Sequence, residues 1–419
     1  TSAGSGARMR ETAREPAAFS AELTRRQFLA RASGLVAAAP LPFLLAPSQA
    51  ADAPKLRAAI IGHTNHGNYG HSHELIFKGR DNITVVAVAD ADEAGRAKAA
   101  VRTGALRAYA DYLQMLERER PQLAVVAPRW TDEHHDMALA ALRTGAHVYL
   151  EKPITQTLAE ADELLAAAAT AGLRIAVAHQ MRLAPSILFL KQCLAEGLIG
   201  ELLQMRVQGK QDQRAGGEDL VVLGVHLFDL MRFFAGDPLW CTARVLQAGH
   251  EITAADAHPA TEHIGPVAGD DISAQFAFPN GVNTAFTSRI RNRELAEPWG
   301  MELTGTKGAV KVLMDMMPRL YARKGESWIA LGKSSEWRPL DKDPTLRLPS
   351  EQLGVNAANQ RVVDDWLSAI AGNQEPVCSG YAGMKALEMV MAVFTAGLTR
   401  RRIEFPLKDR NHPLRPGGT

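Results

Sequence analysis

Residues 56–61 read LRAAII, a short apolar run that stops at Gly62, and residues 62–70 continue as GHTNHGNYG. A second apolar run, ITVVAVA at 83–89, ends on Asp90. Runs this short and without polar alternation suit parallel strands buried on both faces. A glycine-rich turn after the first strand brings backbone close to a pyrophosphate, and an acidic side chain after the second accepts hydrogen bonds from a ribose diol. The gap between Gly62 and Gly67 is longer than in the GxGxxG fingerprint, so the flanking strands carry as much of the reading as the glycines. A phosphate loop of the GxxxxGK[ST] type is excluded, because Asn68 and Tyr69 stand where lysine and Ser/Thr are needed. The segment therefore reads as a βαβ unit for a dinucleotide. A carboxylate at Asp90 would repel a 2′-phosphate, so NAD is the expected cofactor rather than NADP.

The following hundred residues keep alternating. Helices are expected at 112–119, 134–144 and 158–171, and strands at 123–127, 147–150 and 175–178. That order builds a doubly wound parallel sheet whose ligand lies beyond the carboxyl ends of its strands. Glu151-Lys152-Pro153 follows the strand at 147–150, which puts Lys152 at that edge. An ammonium there can hydrogen-bond a substrate hydroxyl, and partial burial lowers its pKa toward use as an acid or base. The proline fixes the turn, with a cis bond as one option. Four histidines, His63, His66, His71 and His73, crowd the glycine turn. No cysteine or patterned carboxylate accompanies them in sequence, so no metal site is expected.

Bulk properties remove other classes. The chain has 419 residues, 46% hydrophobic and 22% charged, with a formal net charge of +1. That is enough apolar material for two cores, and no basic face suggests nucleic acid as a partner. The three cysteines, Cys193, Cys241 and Cys378, have no CxxC spacing and leave one unpaired in any scheme, so buried inert thiols are expected. At the N-terminus, TRRQFL at 24–29 sets an arginine pair before a mildly apolar stretch at 32–46, followed by Ser48, Gln49 and Ala50. This reads as a twin-arginine export signal, residues 1–50, recognised by the export machinery and removed near Ala51. The stretch is too short and too broken by Gly34, Pro40 and Pro42 to span a ~30 Å hydrocarbon core. A periplasmic or otherwise exported protein is implied, with no membrane association after processing. No soluble nicotinamide pool is expected outside the membrane, so the cofactor would be held tightly and regenerated within the site.

Several further segments carry a resemblance: EKP at 151–153, ALAALRTGAHV at 138–148, AHQMR at 178–182 with Pro185, and GLIG at 197–200. With GVHLFD at 224–229, GTKG at 305–308 and RIEFP at 402–406, the chain is similar to the glucose-fructose oxidoreductase/inositol dehydrogenase/MocA family over residues 56–406. The resemblance implies an α/β N-terminal Rossmann domain at 51–178. It also implies an α+β domain at 179–419 built on an open, mainly antiparallel sheet, which serves the substrate and a homodimer or homotetramer. It further implies a sugar, glycoside or polyol substrate and a catalytic histidine at His226. Read alone, His226 is an isolated histidine near the start of a helix at 225–234; with the resemblance, it takes the proton of the hydroxyl that Lys152 orients. Asp229, three residues on, shares that helical face and is a candidate to orient the ring, with capping or packing as the alternative. The candidate catalytic residues are thus Lys152, His226 and Asp229. Candidate cofactor contacts are Gly62, His63, Thr64, Gly67, Tyr69, Gly70, Asp90, Pro128, His134, Glu151, Lys152 and Arg182.

Two departures bear on specificity. Val222 stands where the family often has an aspartate four residues before the histidine, and Arg129 replaces the usual Asn after Pro128. Lys210, Asp212, Arg214, Glu218 and Asp219 are nearby replacements. The leading expectation is a sugar oxidoreductase. The alternatives are a redox-neutral glycosidase or lyase working through transient oxidation at C3, and a noncatalytic sugar-binding protein.

Overall fold

The apolar runs on either side of the glycine turn are strands β1 (Leu56–Ile61) and β2 (Ile83–Ala89), paired in parallel. The computed structural model describes residues 55–290, 299–314, 318–324, 336–340 and 354–415, and the arginine pair lies outside them. With β3 (Arg107–Tyr109), β4 (Leu123–Val126), β5 (His147–Leu150) and β6 (Ile175–Val177), the first sheet runs β3-β2-β1-β4-β5-β6. All five pairings are parallel, which makes this the doubly wound order, with its switch point between β1 and β4. β4 is buried at every position and β1 over its last four residues, as a sheet covered on both faces requires.

Helix starts and stops follow the residues that favour them. Thr157 caps Leu158–Ala171 by accepting from the Glu160 amide, Glu160 answers in a reciprocal capping box, and Gly172 closes the helix in the left-handed region at φ 68°. Asp92 and Asp111 cap Glu93–Thr103 and Tyr112–Glu119. The remaining expected elements fall within one or two residues of their observed bounds, His134–Arg143 and Gly224–Ala235 among them.

The expected helix between β1 and β2 is not formed. A six-residue 3₁₀ turn, Gly70–Leu75, stands in its place, and His71 and Ser72 hold left-handed dihedrals at φ 51° and 60°. The local sequence GHSH has no apolar stripe for a helix to bury, and both histidines are drawn to Glu151 instead.

The second sheet is mixed, as expected of an open and mainly antiparallel one. From one edge its strands are Arg338–Pro339, Arg319–Lys324, Gly308–Leu313, Gly300–Gly305, Leu202–Gln208, Asn283–Arg289, Asp271–Ala277, Trp240–Gln247 and Ile403–Glu404, with His250–Glu251 also paired to Trp240–Gln247. Only Leu202–Gln208 with Asn283–Arg289 is parallel. Helix Gly224–Ala235 lies on this sheet through Phe228, whose ring sits 5.3 Å from Phe276 and 5.0 Å from Phe286. That contact fixes the height of His226, two residues earlier.

Packing does not follow chain order. Helix Gly380–Thr399 touches β6 on one side and Trp240–Gln247 on the other. A Cβ on Gly383 would come within 2.8 Å of Val177, and one on Gly397 within 2.7 Å of Val245, so the helix uses glycines to approach both sheets. It is long and apolar enough to cross a membrane by length and composition, yet 83% of its apolar window is buried inside the protein. Helix Val355–Ala371 returns to the first sheet, where Trp366 meets Tyr149 of β5. The described residues consequently form one unit.

Candidate active site

Lys152 leaves β5 through a cis Lys152-Pro153 bond. His134 steadies the turn from beneath: Nδ1 lies 2.8 Å from the Pro153 carbonyl and Nε2 2.7 Å from that of Pro128. His134 and Pro128 therefore tie the ends of β4 and β5 together. Burial lowers the His134 pKa, so the neutral ring donates to one of these carbonyls at a time, and neither nitrogen is turned to open space.

The Lys152 ammonium is buried and donates to the Val222 carbonyl at 3.1 Å. The position that lacks the family's carboxylate thus contributes its backbone. Burial pushes the Lys152 pKa down, and the Arg129 and Arg214 guanidiniums push it further, while Glu151 and Glu262 oppose them. Glu151 is its neighbour in the chain, and the other three come from separate segments. Arg129 and Arg214 both bind Glu262, which sequence reading missed.

Glu151 has no exposure and sits between His71, at 3.0 Å from Oε1, and His73 on Oε2. Burial by itself would raise its pKa, but the two imidazoles outweigh burial and hold the carboxyl well below its ordinary value. The ionised Glu151 is a fixed negative charge behind Lys152.

His226 is buried, and its Nδ1 has no hydrogen-bond partner among the described residues. Burial lowers its pKa well below the ordinary value, and the nearby Lys152 ammonium and His179 add to that. The imidazole is neutral at pH 7 and can accept a proton. Asp229 does not orient it. Its carboxylate binds Arg182 through Nε at 2.8 Å and through Nη2, and His179 Nδ1 stands 3.4 Å away. Burial would raise the Asp229 pKa, but Arg182 and His179 win and lower it. Arg182 is likewise committed to this pair and to the Phe233 ring, 5.0 Å from its guanidinium carbon. The residue that touches His226 is His179, edge to face at 5.5 Å, with its own Nε2 unpartnered. It lies inside the AHQMR segment, where a histidine following a buried strand is the signal that could have singled it out.

The glycine turn is closed on itself. The Tyr69 ring covers Gly62, where a Cβ would lie 2.0 Å from it, and the Arg129 side chain covers Gly70. The amides of residues 62–66, 68 and 70 all donate within the protein. Asp90 is buried and accepts from Thr64 N, Thr64 Oγ1 at 2.7 Å and Asp92 N at 3.0 Å. The Thr64 amide reaches both oxygens, at 3.1 and 3.2 Å, so these donors already make four contacts and a ribose hydroxyl would have to share or displace one of them. Thr64 stands two residues after Gly62, where the fingerprint has its second glycine, and its side chain sits between Asp90 and Gly95. His63 turns to Glu133 at 2.6 Å.

The residues present fit NAD best on the nicotinamide side. There a buried lysine meets two buried histidines with unpartnered nitrogens, an arrangement that costs free energy unless a ligand satisfies it. On the pyrophosphate side no helix N-terminus is available, so the helix-dipole contribution usual for such turns is missing. Of the carboxylates expected to stand in at Val222, Glu218 goes to Thr261, Asp219 to Ser288 and the Lys210 amide, and Asp212 to the Lys210 ammonium.

Comparison with known proteins completes the site. Residues 56–179 match the family model described as "Oxidoreductase family, NAD-binding Rossmann fold" and residues 191–405 its "C-terminal alpha/beta domain". A D-apiose dehydrogenase of Paraburkholderia graminis is 24% identical over 378 residues, covering 86% of this chain and 92% of that protein. A 1,5-anhydro-D-fructose reductase of Ensifer adhaerens is 27% identical over 297 residues, covering 68% and 80%. A levoglucosan dehydrogenase solved with NADH and levoglucosan has the same fold, with a TM-score of 0.68 at 19% identity over 84% of this chain and all of its own. The chain belongs to the Gfo/Idh/MocA oxidoreductase family and is an NAD-dependent oxidoreductase with that family's NAD-binding Rossmann fold.

Proposed function

We propose that this oxidoreductase acts on a secondary hydroxyl of a sugar, glycoside or polyol, with Lys152 and His226 sharing the reacting oxygen. The observation that carries the reading is the approach of a buried, pKa-lowered Lys152 from the first sheet to a buried, neutral His226 from the second, with the His226 Nδ1 unpartnered. Bound NAD supplies the hydride acceptor. His226 takes the hydroxyl proton, and Lys152 holds the oxygen and offsets its growing negative charge. Glu151 keeps the lysine charged enough to do so, and the buried surroundings keep the charge unscreened. The sugar and anhydrosugar substrates named for the D-apiose, 1,5-anhydro-D-fructose and levoglucosan enzymes support the substrate class.

Export through the twin-arginine route, a tightly retained cofactor and self-association through the second sheet belong to the same proposal. So does the NAD-binding segment 51–178 followed by a substrate segment 179–419. Denaturing the purified protein, identifying the released nucleotide and screening a panel of sugars and glycosides tests the reading. Reversible oxidation of a sugar with NADH formation supports it. Glycoside cleavage without net NADH formation would instead favour the redox-neutral alternative, and neither activity would leave only sugar binding.

A further inference from the structure

The histidines around the glycine turn do acquire carboxylates once the chain folds. His66 Nε2 lies 2.9 Å from Asp132 Oδ2, and His263 Nδ1 lies 3.0 Å from the same oxygen. All three ligand atoms lie within 4.8 Å of one another. They come from three separate segments: the turn after β1, the short 3₁₀ turn Thr131–Glu133 after β4, and the loop between His258–Pro259 and Pro266–Val267. This group plays no part in the proton transfer assigned to Lys152 and His226.

The rings are held in place before any ion arrives. Trp130 stacks on His263 at 4.0 Å and 7°, and meets the edge of His66 at 4.5 Å. The His263 backbone is fixed by two donors to its carbonyl, the Thr131 amide at 3.1 Å and Gln156 Nε2 at 2.9 Å. Asp132 and His263 also line a cavity of about 740 Å³ with His258, Glu262, Gln156 and Arg415, so two of the three side chains face space and not packed core.

We propose that His66, Asp132 and His263 bind one divalent transition cation of the zinc class, leaving its remaining coordination positions open to this cavity. Two imidazole nitrogens and one carboxylate oxygen are a borderline donor set, which favours zinc, cobalt, nickel or copper over magnesium or calcium. Ligands ~2.0–2.1 Å from a tetrahedral ion stand roughly 3.4 Å apart, so the two observed contacts need to open by only about half an ångström. Three protein ligands with open positions are the pattern of a site that can take a water or a substrate oxygen. Coordination would also join the turn after β1 to the loop carrying His263, replacing two hydrogen bonds to the Asp132 carboxylate by metal bonds.

The test is calorimetric titration of the whole chain, freed of metal by chelation, with Zn²⁺ alone. One ion should bind per chain. His263→Ala and Asp132→Asn should each weaken binding at least tenfold. His71→Ala, which alters the other histidine–carboxylate group at Glu151, should leave binding unchanged. If His263→Ala does not fold, as judged by circular dichroism, His66→Gln takes its place. Absence of stoichiometric binding, binding unchanged by these substitutions, or loss in His71→Ala in place of His263→Ala would each overturn the proposal. Because the readout is ion binding, its failure is separable from failure of the sugar oxidoreductase reading.

Discussion

Asp229→Asn isolates the buried pair that stands behind His179. Asp229 is 1% exposed, and its two oxygens take Arg182 Nε and Nη2, while its carbonyl accepts a second bond from Nη2 at 3.1 Å. The amide would keep the shape but remove the charge, and it would turn one NH₂ group toward a guanidinium that can only donate. Arg182 is itself 9% exposed and pairs with no other carboxylate among the described residues. Breaking one partner of such a pair costs about 3–5 kcal/mol, because the remaining charge stays buried. Urea unfolding near pH 7 should show that loss. Arg182→Met with Asp229→Leu, which removes both charges, should recover most of it. The Asp229 pKa is depressed by Arg182, so the pair contributes its full stability above the ordinary carboxylate value and loses it as pH falls through the depressed one. The variant should therefore lack part of the acid-induced loss seen in the parent. A cost below about 1 kcal/mol in the single variant would refute the reasoning, since it would mean that the guanidinium finds solvent or another partner.

Other expectations follow from the same contacts. Burial pushes the Asp219 carboxyl up to about 6, against donors from Ser288 and the Lys210 amide, so its native form holds a proton longer than the unfolded chain does. Stability should fall by on the order of 3 kcal/mol between about pH 4 and pH 6 from this group, and Asp219→Asn should flatten that slope in pH-dependent unfolding; an unchanged slope would assign it elsewhere. Thr64→Ala removes only the hydroxyl donor to Asp90, whereas Asp90→Ala removes the anchor of the turn together with the ribose acceptor proposed there. In nucleotide titrations Asp90→Ala should weaken NAD binding at least tenfold, and Thr64→Ala should do less; equal losses would reduce Asp90 to an anchor of the turn. Replacing Arg25 and Arg26 together with lysine should block export in a fractionation assay, because a receptor reads the pair, and normal export would remove the signal assignment.

The alternation of short apolar runs with helical segments was legible because parallel strands buried on both faces leave a continuous hydrophobic signature, and five of the six strands of the first sheet appear where they were read; β3, three residues with none buried, carries no such signature and was not read. Lys152 was legible for the same reason, since its place follows from the end of β5. The missing helix after β1 was not, because its loss depends on His71 and His73 being drawn across 78 or more positions to Glu151. Asp229 shows the limit of helical spacing. Three residues from His226 is the right face for contact, but Arg182 competes for the carboxylate with a full charge. The carboxylates near the histidine turn were invisible for a similar reason: Asp132, Glu133 and Glu151 lie 66 to 80 residues from the rings they meet. A pattern that short-range spacing reads as four unaccompanied histidines becomes three histidine–carboxylate groups when β1, β4 and β5 bring their ends together.

The most direct test of the central claim is a double-mutant cycle on turnover of the sugar substrate, using Lys152→Met, His226→Ala and the double variant. Both side chains are assigned to one oxygen, so each single substitution should lower turnover ~100-fold or more while NAD binding and folding persist. The double variant should then lose much less than the product of the two single losses, because groups acting on one proton transfer are not additive. Multiplicative losses, or near-native turnover in His226→Ala, would contradict the account and leave Lys152 without the partner the fold gives it.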